Sequence, residues 1–295
     1  MLAIALIVQL VAAPHLVASS LVASTPVAPQ GAPSVSAERP EARFSEVVRG
    51  LDRQAPLPAL TVAVAERFIG LPYLENSLNV GEMREGLPEP LVSRLDGFDC
   101  VTLVEASLAI ARAVTLGQPT PEGFQRELET LRYRDGKRSD FSSRLNYFSE
   151  WIADNARRGH LVDLTPQLGG EEDPRPLSFM TTHRKAYPAL ADDGIFAKQQ
   201  AVEASLAARP RMVIPMERAH AILPRLQPGD ILAFTTAIPG LDVVHTGLVA
   251  RGPSGALHLL HAPEPGEPVT ISSKPLSEYF GASKRHKGVM VARPN

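Results

Sequence analysis

At Pro228-Gly229 the hydrophobic pattern of this 295-residue chain changes its period, and that change narrows the folds open to it. Before this point apolar residues recur mostly at helical spacing. After it come short β-rich runs, DILAFTT, VVHTGLVA, ALHLLHA, VTISS and GVMVARP, separated by Gly-Pro-Ser-Gly and Glu-Pro-Gly turns. A helix-rich half followed by a strand-rich half predicts an α+β fold with an antiparallel meander, because a parallel sheet would need helices between its strands.

Within the first half, one segment is expected to be central. CVTLVEASLAIARAVTL, from Cys100 to about Leu116, is apolar on most sides and carries only Glu105 and Arg112 as charges. A helix also begins in TVAVAERFIG and stops at Gly-Leu-Pro. Further helices are expected at Pro121 to Leu131, Arg144 to Arg158 and Ile195 to Arg209, with helical patterning up to about residue 223. The stretch 117–223 is longer than a minimal core needs and is expected to help select substrate.

Met1 to Ala13 is an apolar run closed by Pro14, shorter than the ~20 residues that cross a bilayer as a helix. Its length fits the core of a signal peptide, and small residues follow at Val17-Ala18-Ser19 and Val22-Ala23-Ser24. No Lys or Arg precedes Arg39, so the usual basic flank is reduced to the α-amino group. Residues 1–23 are read as an export signal, 24–43 as a disordered Pro/Ala/Ser-rich linker, and 44–295 as one catalytic domain. The mature chain is then expected to be periplasmic or secreted, without an integral membrane span.

A formal net charge of -2, without long runs of either sign, gives no footprint for a polyanion, so nucleic acid is not an expected partner. The single cysteine excludes an intramolecular disulfide and a thiolate-rich zinc site. His-Glu-x-x-His, Gly-rich phosphate loops and Gly-x-Ser-x-Gly are all absent, so no metal or other cofactor is expected.

A lone cysteine is more often buried filler than a nucleophile, so its position has to argue for it. Cys100 stands at the junction of the loop GFD and the central helix, where unpaired N–H groups and the helix dipole favour an anion. A thiolate is expected there, with the same N–H groups able to hold an oxyanion. Asp99 is placed to cap the same helix. For a base, His245 lies in the apolar strand VVHTGLVA, sharing a face with Gly247 and Val249; that face is expected to meet the central helix. A core histidine bonded to a carbonyl is the alternative for His245 taken alone. In ALHLLHA, alternation separates His261 from His258, and His261, at the strand end, is assigned to orient the base while His258 goes to the outer surface. Surface or capping roles suffice for His160, His183, His220 and His286.

These residues resemble the NlpC-type, papain-like peptidoglycan hydrolases, which place Asp-Cys at a helix start, His-x-Gly in a strand and His-Ala in the next. Here they are Asp99-Cys100, His245-Thr246-Gly247 and His261-Ala262, with Gly70-Leu71-Pro72-Tyr73 matching an upstream Gly-x-Pro-Tyr. The resemblance implies a papain-like core, with the cysteine-bearing helix on an antiparallel sheet and helical insertions around it. It implies an oxyanion role for Tyr73 and a substrate-amine contact for Asp99. FDCVTLVEA, YFSEWIADN, SFMTTH and GDILAFTTAIPGLDVVHTG are similar to a narrower family, the N-acetylmuramoyl-L-alanine amidase-like proteins also known as domain of unknown function 1460. This resemblance implies cleavage of the bond between the muramic acid lactyl group and L-alanine, with muropeptides as substrates. Thr246 and Pro263 depart from the family pattern, and neither is expected to touch the catalytic atoms.

The expected chemistry is a Cys100–His245–His261 hydrolase acting on peptidoglycan fragments. Three rivals remain at this stage: a DL-endopeptidase, a papain-like acyltransferase or lipid hydrolase, and a wall-binding domain without activity.

Overall fold

A computed structural model describes residues 40–78 and 88–295. The export signal and most of the linker expected from the sequence lie outside those residues. The helices are α1 (Pro40–Val48), α2 (Leu57–Glu66), α3 (Cys100–Thr115), α4 (Pro121–Arg132), α5 (Phe148–Arg157), α6 (Phe179–Thr182), α7 (Asp193–Ala207) and α8 (Leu276–Tyr279). The strands are β1 (Leu161–Asp163), β2 (Glu171–Asp173), β3 (Arg211–Pro215), β4 (Ile231–Thr235), β5 (Val243–Arg251), β6 (Leu257–His261), β7 (Thr270–Ile271) and β8 (Gly288–Pro294).

The strands form one antiparallel sheet in the order β2-β3-β8-β4-β5-β6-β7, with β1 also paired to β8. Helices and antiparallel sheet together make the α+β architecture that the change of period predicts. The meander is real from β4 to β7, but the last strand does not extend it. β8 returns to lie between β3 and β4, with Leu232 opposite Val291. Three further readings need correction. Residues 40–43, read as linker, open α1, whose Phe44 and Val47 are buried. β3 falls inside the half read as helical, and the helix expected from Arg144 starts at Phe148.

α3 forms because its start is capped and its body is apolar. Asp99 accepts from the N–H groups of Val101 (3.0 Å) and Thr102 (2.8 Å), and Thr102 Oγ1 accepts from the Asp99 N–H, a closed capping box. Leu103, Val104, Leu108 and Ile110 bury themselves against α2, α4 and one sheet face, the one carrying Leu248, Ala250, Leu260 and Ala292. The opposite face, with Phe234, Val249, Leu259 and Val291, is covered by Leu276, Phe280 and the 3₁₀ segment Met216–Arg225. The sheet is therefore buried on both sides, and α3 delivers its N-terminus to β5. Among the described residues no helix is long and apolar enough to cross a membrane.

Candidate active site

The loop before α3 is fixed by a short parallel bridge between Tyr73 and Phe98. Leu74 N–H donates to Phe98 O (2.9 Å) and Phe98 N–H to Pro72 O (3.1 Å). Gly97 makes this approach possible, since a Cβ there would stand 2.8 Å from Pro72 O. The bridge brings Tyr73 beside Cys100. On the other side, Val269 N–H donates to Leu71 O (2.8 Å), tying the tyrosine loop to the segment after β6.

α3 meets β5 through Thr246, whose hydroxyl donates to Cys100 O at 2.7 Å. This corrects two expectations. The strand face that packs on the helix carries Thr246, Leu248 and Ala250, not His245 and Gly247; and Thr246, a departure from the family pattern, touches the cysteine directly. Gly247 makes room for β6, because a Cβ there would lie 2.8 Å from Leu260 O. His245 lies on the opposite face, paired with Phe234 across the sheet. It still reaches the thiol's surroundings, because the helix N-terminus stops at the beginning of β5, where both faces open on one cavity. Tyr73, Cys100, His245, His261, Tyr279 and His286 all line it.

His245 and His261 share a sheet face, and Nε2 of His245 lies 2.7 Å from Nδ1 of His261. Both rings are nearly enclosed, at 9% and 7% exposure. His258 does not reach the surface expected for it: it is buried on the helix-facing side, with Nδ1 2.7 Å from Ser272 O. His286, set aside as a residue of a basic turn, stacks on Phe234 with ring centroids 4.5 Å apart. His183 and His220 bond the carbonyls of Phe179 and Ser277. Among the described residues no cluster of three or more His, Cys, Asp or Glu side chains is placed to hold a metal ion.

Asp99 is enclosed, with one carboxylate oxygen on the helix N–H groups and the other accepting from Ser77 Oγ (2.7 Å). The N–H groups of Val101 and Thr102 are thereby committed to Asp99. Burial and the adjacent Asp99 carboxylate push the Cys100 thiol up to about 12, against opposing hydrogen bonds from Thr246. Burial, with the nearby His261, His286 and Arg285, pushes the His245 imidazole well below its usual range. Both shifts favour the neutral forms, thiol and imidazole. Desolvation and Asp99 oppose the thiolate that the helix dipole favours. Burial also raises the Tyr73 hydroxyl, helped by Cys100 and Asp99, so it remains a proton donor.

Two outcomes follow. Iodoacetamide should alkylate Cys100 more slowly than a free thiol at about pH 7, with a rate that climbs on the alkaline side; equal rates at about pH 6 and 8 would instead mark a preformed thiolate. Burial also lowers His261, His286 and His160 to about 4 each. Their folded values lie below the unfolded one, so the unfolded chain takes up protons first as the pH falls. Stability should be complete above about pH 6.5 and decline toward about pH 4, as denaturant midpoints across that window would show.

The profile of the N-acetylmuramoyl-L-alanine amidase-like (AmiA-like) family matches residues 63–289. The chain belongs to that family. A crystal structure of an N-acetylmuramoyl-L-alanine amidase from Bacteroides uniformis ATCC 8492 is 31% identical, covering 81% of this chain and 99% of that one, with a TM-score of 0.73. A Bacteroides fragilis protein named as a candidate xylanase is 32% identical over 79% of this chain and 99% of its own, with a TM-score of 0.69. Protein LPG0564 from Legionella pneumophila str. Philadelphia 1, of the DUF1460 family, shares the fold at 20% identity, with a TM-score of 0.62 over 86% of this chain and 94% of its own. No curated protein matches. As an amidase-like family member the chain is a hydrolase. The match spans Tyr73, Cys100, His245, His261 and His286, the residues around the cavity.

Proposed function

We propose that this amidase-like protein is an exported cysteine hydrolase with a papain-like core, which cuts the N-acetylmuramoyl–L-alanine bond of peptidoglycan fragments. The observation that carries the reading is the shared cavity of Cys100, His245 and Tyr73, with His245 held 2.7 Å from His261. With Nε2 of His245 donating to His261, Nδ1 is left to take the thiol proton. The thiolate adds to the lactyl carbonyl carbon, and Cys100 N–H and the Tyr73 hydroxyl donate to the oxyanion. His245, now protonated, gives its proton to the L-alanine nitrogen as the C–N bond breaks, leaving a thioester on Cys100. Water deprotonated by the same ring then attacks the thioester, freeing the lactyl carboxylate and restoring the thiol. Asp99, with both oxygens engaged, serves this scheme as the cap that fixes Cys100 rather than as a substrate contact.

Glycoside hydrolysis, suggested by the name of the Bacteroides fragilis relative, calls for a carboxylic acid at the scissile oxygen. Here a thiol and imidazoles share the cavity with the carboxylates of Glu75 and Glu264, while Asp99 and Glu105 are tied to the helix cap and to Arg132, and it is the amidase-like family profile that favours the amide bond. Mass spectrometry of digested muropeptides separates the amidase from the rival endopeptidase. The amidase leaves free sugar with its lactyl acid and a stem peptide beginning with L-alanine. A DL-endopeptidase leaves sugar still joined to L-alanyl-D-glutamate. Export is tested by sequencing the N-terminus of protein recovered outside the cytoplasm, with cleavage expected near residues 19–24.

A further inference from the structure

Ion pairs engage many of the charged side chains in this molecule, from buried Arg132–Glu105 to exposed Arg94–Asp96. The charged side chains that line the cavity beside Cys100 are not among them. Arg285 lines it near His245 and His286, Glu75 and Glu264 line it near Tyr73, and among the described residues none of the three has an ion-pair partner. Ionic groups of both signs left unpaired around a nucleophile suit a zwitterionic ligand better than a neutral sugar.

The basic wall is built, not incidental. His286 is fixed by stacking on Phe234 at 4.5 Å, and it lies beside Tyr279 and parallel to His245. Its Nδ1 is shut away without a partner, so in a ring that lines the cavity Nε2 is the nitrogen left for a ligand. A neutral imidazole keeps its proton where a partner can reach it, so the ring presents Nε2–H. Burial and Arg285 lower this ring to about 4, which keeps it neutral near pH 7. Ser283 adds a hydroxyl to the same wall.

We propose that the turn Ser283–His286 is the subsite for a carboxylate of the stem peptide, held by the Arg285 guanidinium and by Nε2–H of His286. The proposal rests on the amidase reading, because it takes the leaving group to be a peptide. The nearest free carboxylate to the scissile bond is the α-carboxylate of the γ-linked D-glutamate that follows L-alanine. A guanidinium beside a neutral N–H donor matches it with charge and hydrogen bonds together.

The test is calorimetric titration with free L-alanyl-γ-D-glutamyl-meso-diaminopimelate and with its isoglutamine form, in which that carboxylate is an amide. The wild-type protein should prefer the acid by about tenfold or more, the scale of one charge-assisted hydrogen bond. Arg285→Gln should remove most of that preference. His286→Phe keeps the stack on Phe234 and should also lose it, whereas His286→Gln, which retains an N–H donor, should recover part. A wild-type protein that binds both peptides equally, or a preference that survives both Arg285→Gln and His286→Phe, overturns the proposal. The amidase reading is judged separately by the masses of the products, so either can fail without the other.

Discussion

Replacing His245 by alanine should cost as much activity as replacing Cys100: a fall in kcat of about 10⁴-fold or more for each, with neither loss adding to the other in the double variant. Equal severity follows from the burial that disfavours the thiolate. In an enzyme that stores a thiolate–imidazolium pair, losing the imidazole still leaves some thiolate. Here burial and Asp99 hold the thiol at about 12, so with no base almost none of it is ionised near neutral pH. His261→Ala should be milder, about 10- to 100-fold, since that ring contacts only the far nitrogen of His245. All three variants should keep a wild-type melting profile to within a few degrees, for each side chain lines a cavity instead of filling a core. Steady-state release of stem peptide from a purified muropeptide is the measurement. If His245→Ala kept more than about 1% of the wild-type rate, the proton-transfer role would have to pass to another group.

What the sequence made legible is what local pattern controls. The Asp-Cys start of α3 was readable because a capping residue followed by Thr102 and an apolar run specifies a helix N-terminus on its own. The separation of His261 from His258 followed from strand alternation, and both histidines do lie on opposite faces. Alternation could not say what covers each face. It therefore sent His258 to solvent and turned His245 toward the helix, when Thr246 is the residue that meets it. The place of β8 depends on a return crossing between β3 and β4, a long-range pairing without a local signature. β3 was hidden because Arg-Met-Val-Ile-Pro is too short to show a period beside the helix before it. His286 was missed for the opposite reason. Its neighbours Lys284, Arg285 and Lys287 gave a strong surface signal, and only the fold shows its ring against Phe234. The one available clue was position, just ahead of the final apolar strand, where a loop borders the sheet end that carries His245.

Arg132→Met should be the most destabilising single change outside the hydrophobic core, lowering the unfolding free energy by about 3–5 kcal/mol at neutral pH. Glu105 is the one acidic residue of α3, 2% exposed, and its carboxylate accepts from Arg132 Nε at 2.8 Å. Arg132 also donates to Val92 O, so one guanidinium serves both the helix and the loop before it. Taking it away leaves a carboxylate in the interior with no cation in contact. Burial already raises Glu105 above the usual carboxylate range while the arginine pulls it down, so the variant's Glu105 should rise further and fold in its neutral form. A group whose folded pKa is raised destabilises above its unfolded pKa and ceases to do so once the pH falls below it. The deficit of Arg132→Met should therefore shrink as the pH drops from about 7 toward about 4.5. Glu105→Leu combined with Arg132→Met should recover much of the loss at every pH, because it removes the buried charge together with its partner. Urea titrations of the single and double variants at both ends of that range decide it. A deficit that stays constant with pH would mean that the loss comes from packing and the Val92 contact, with no part played by the stranded charge.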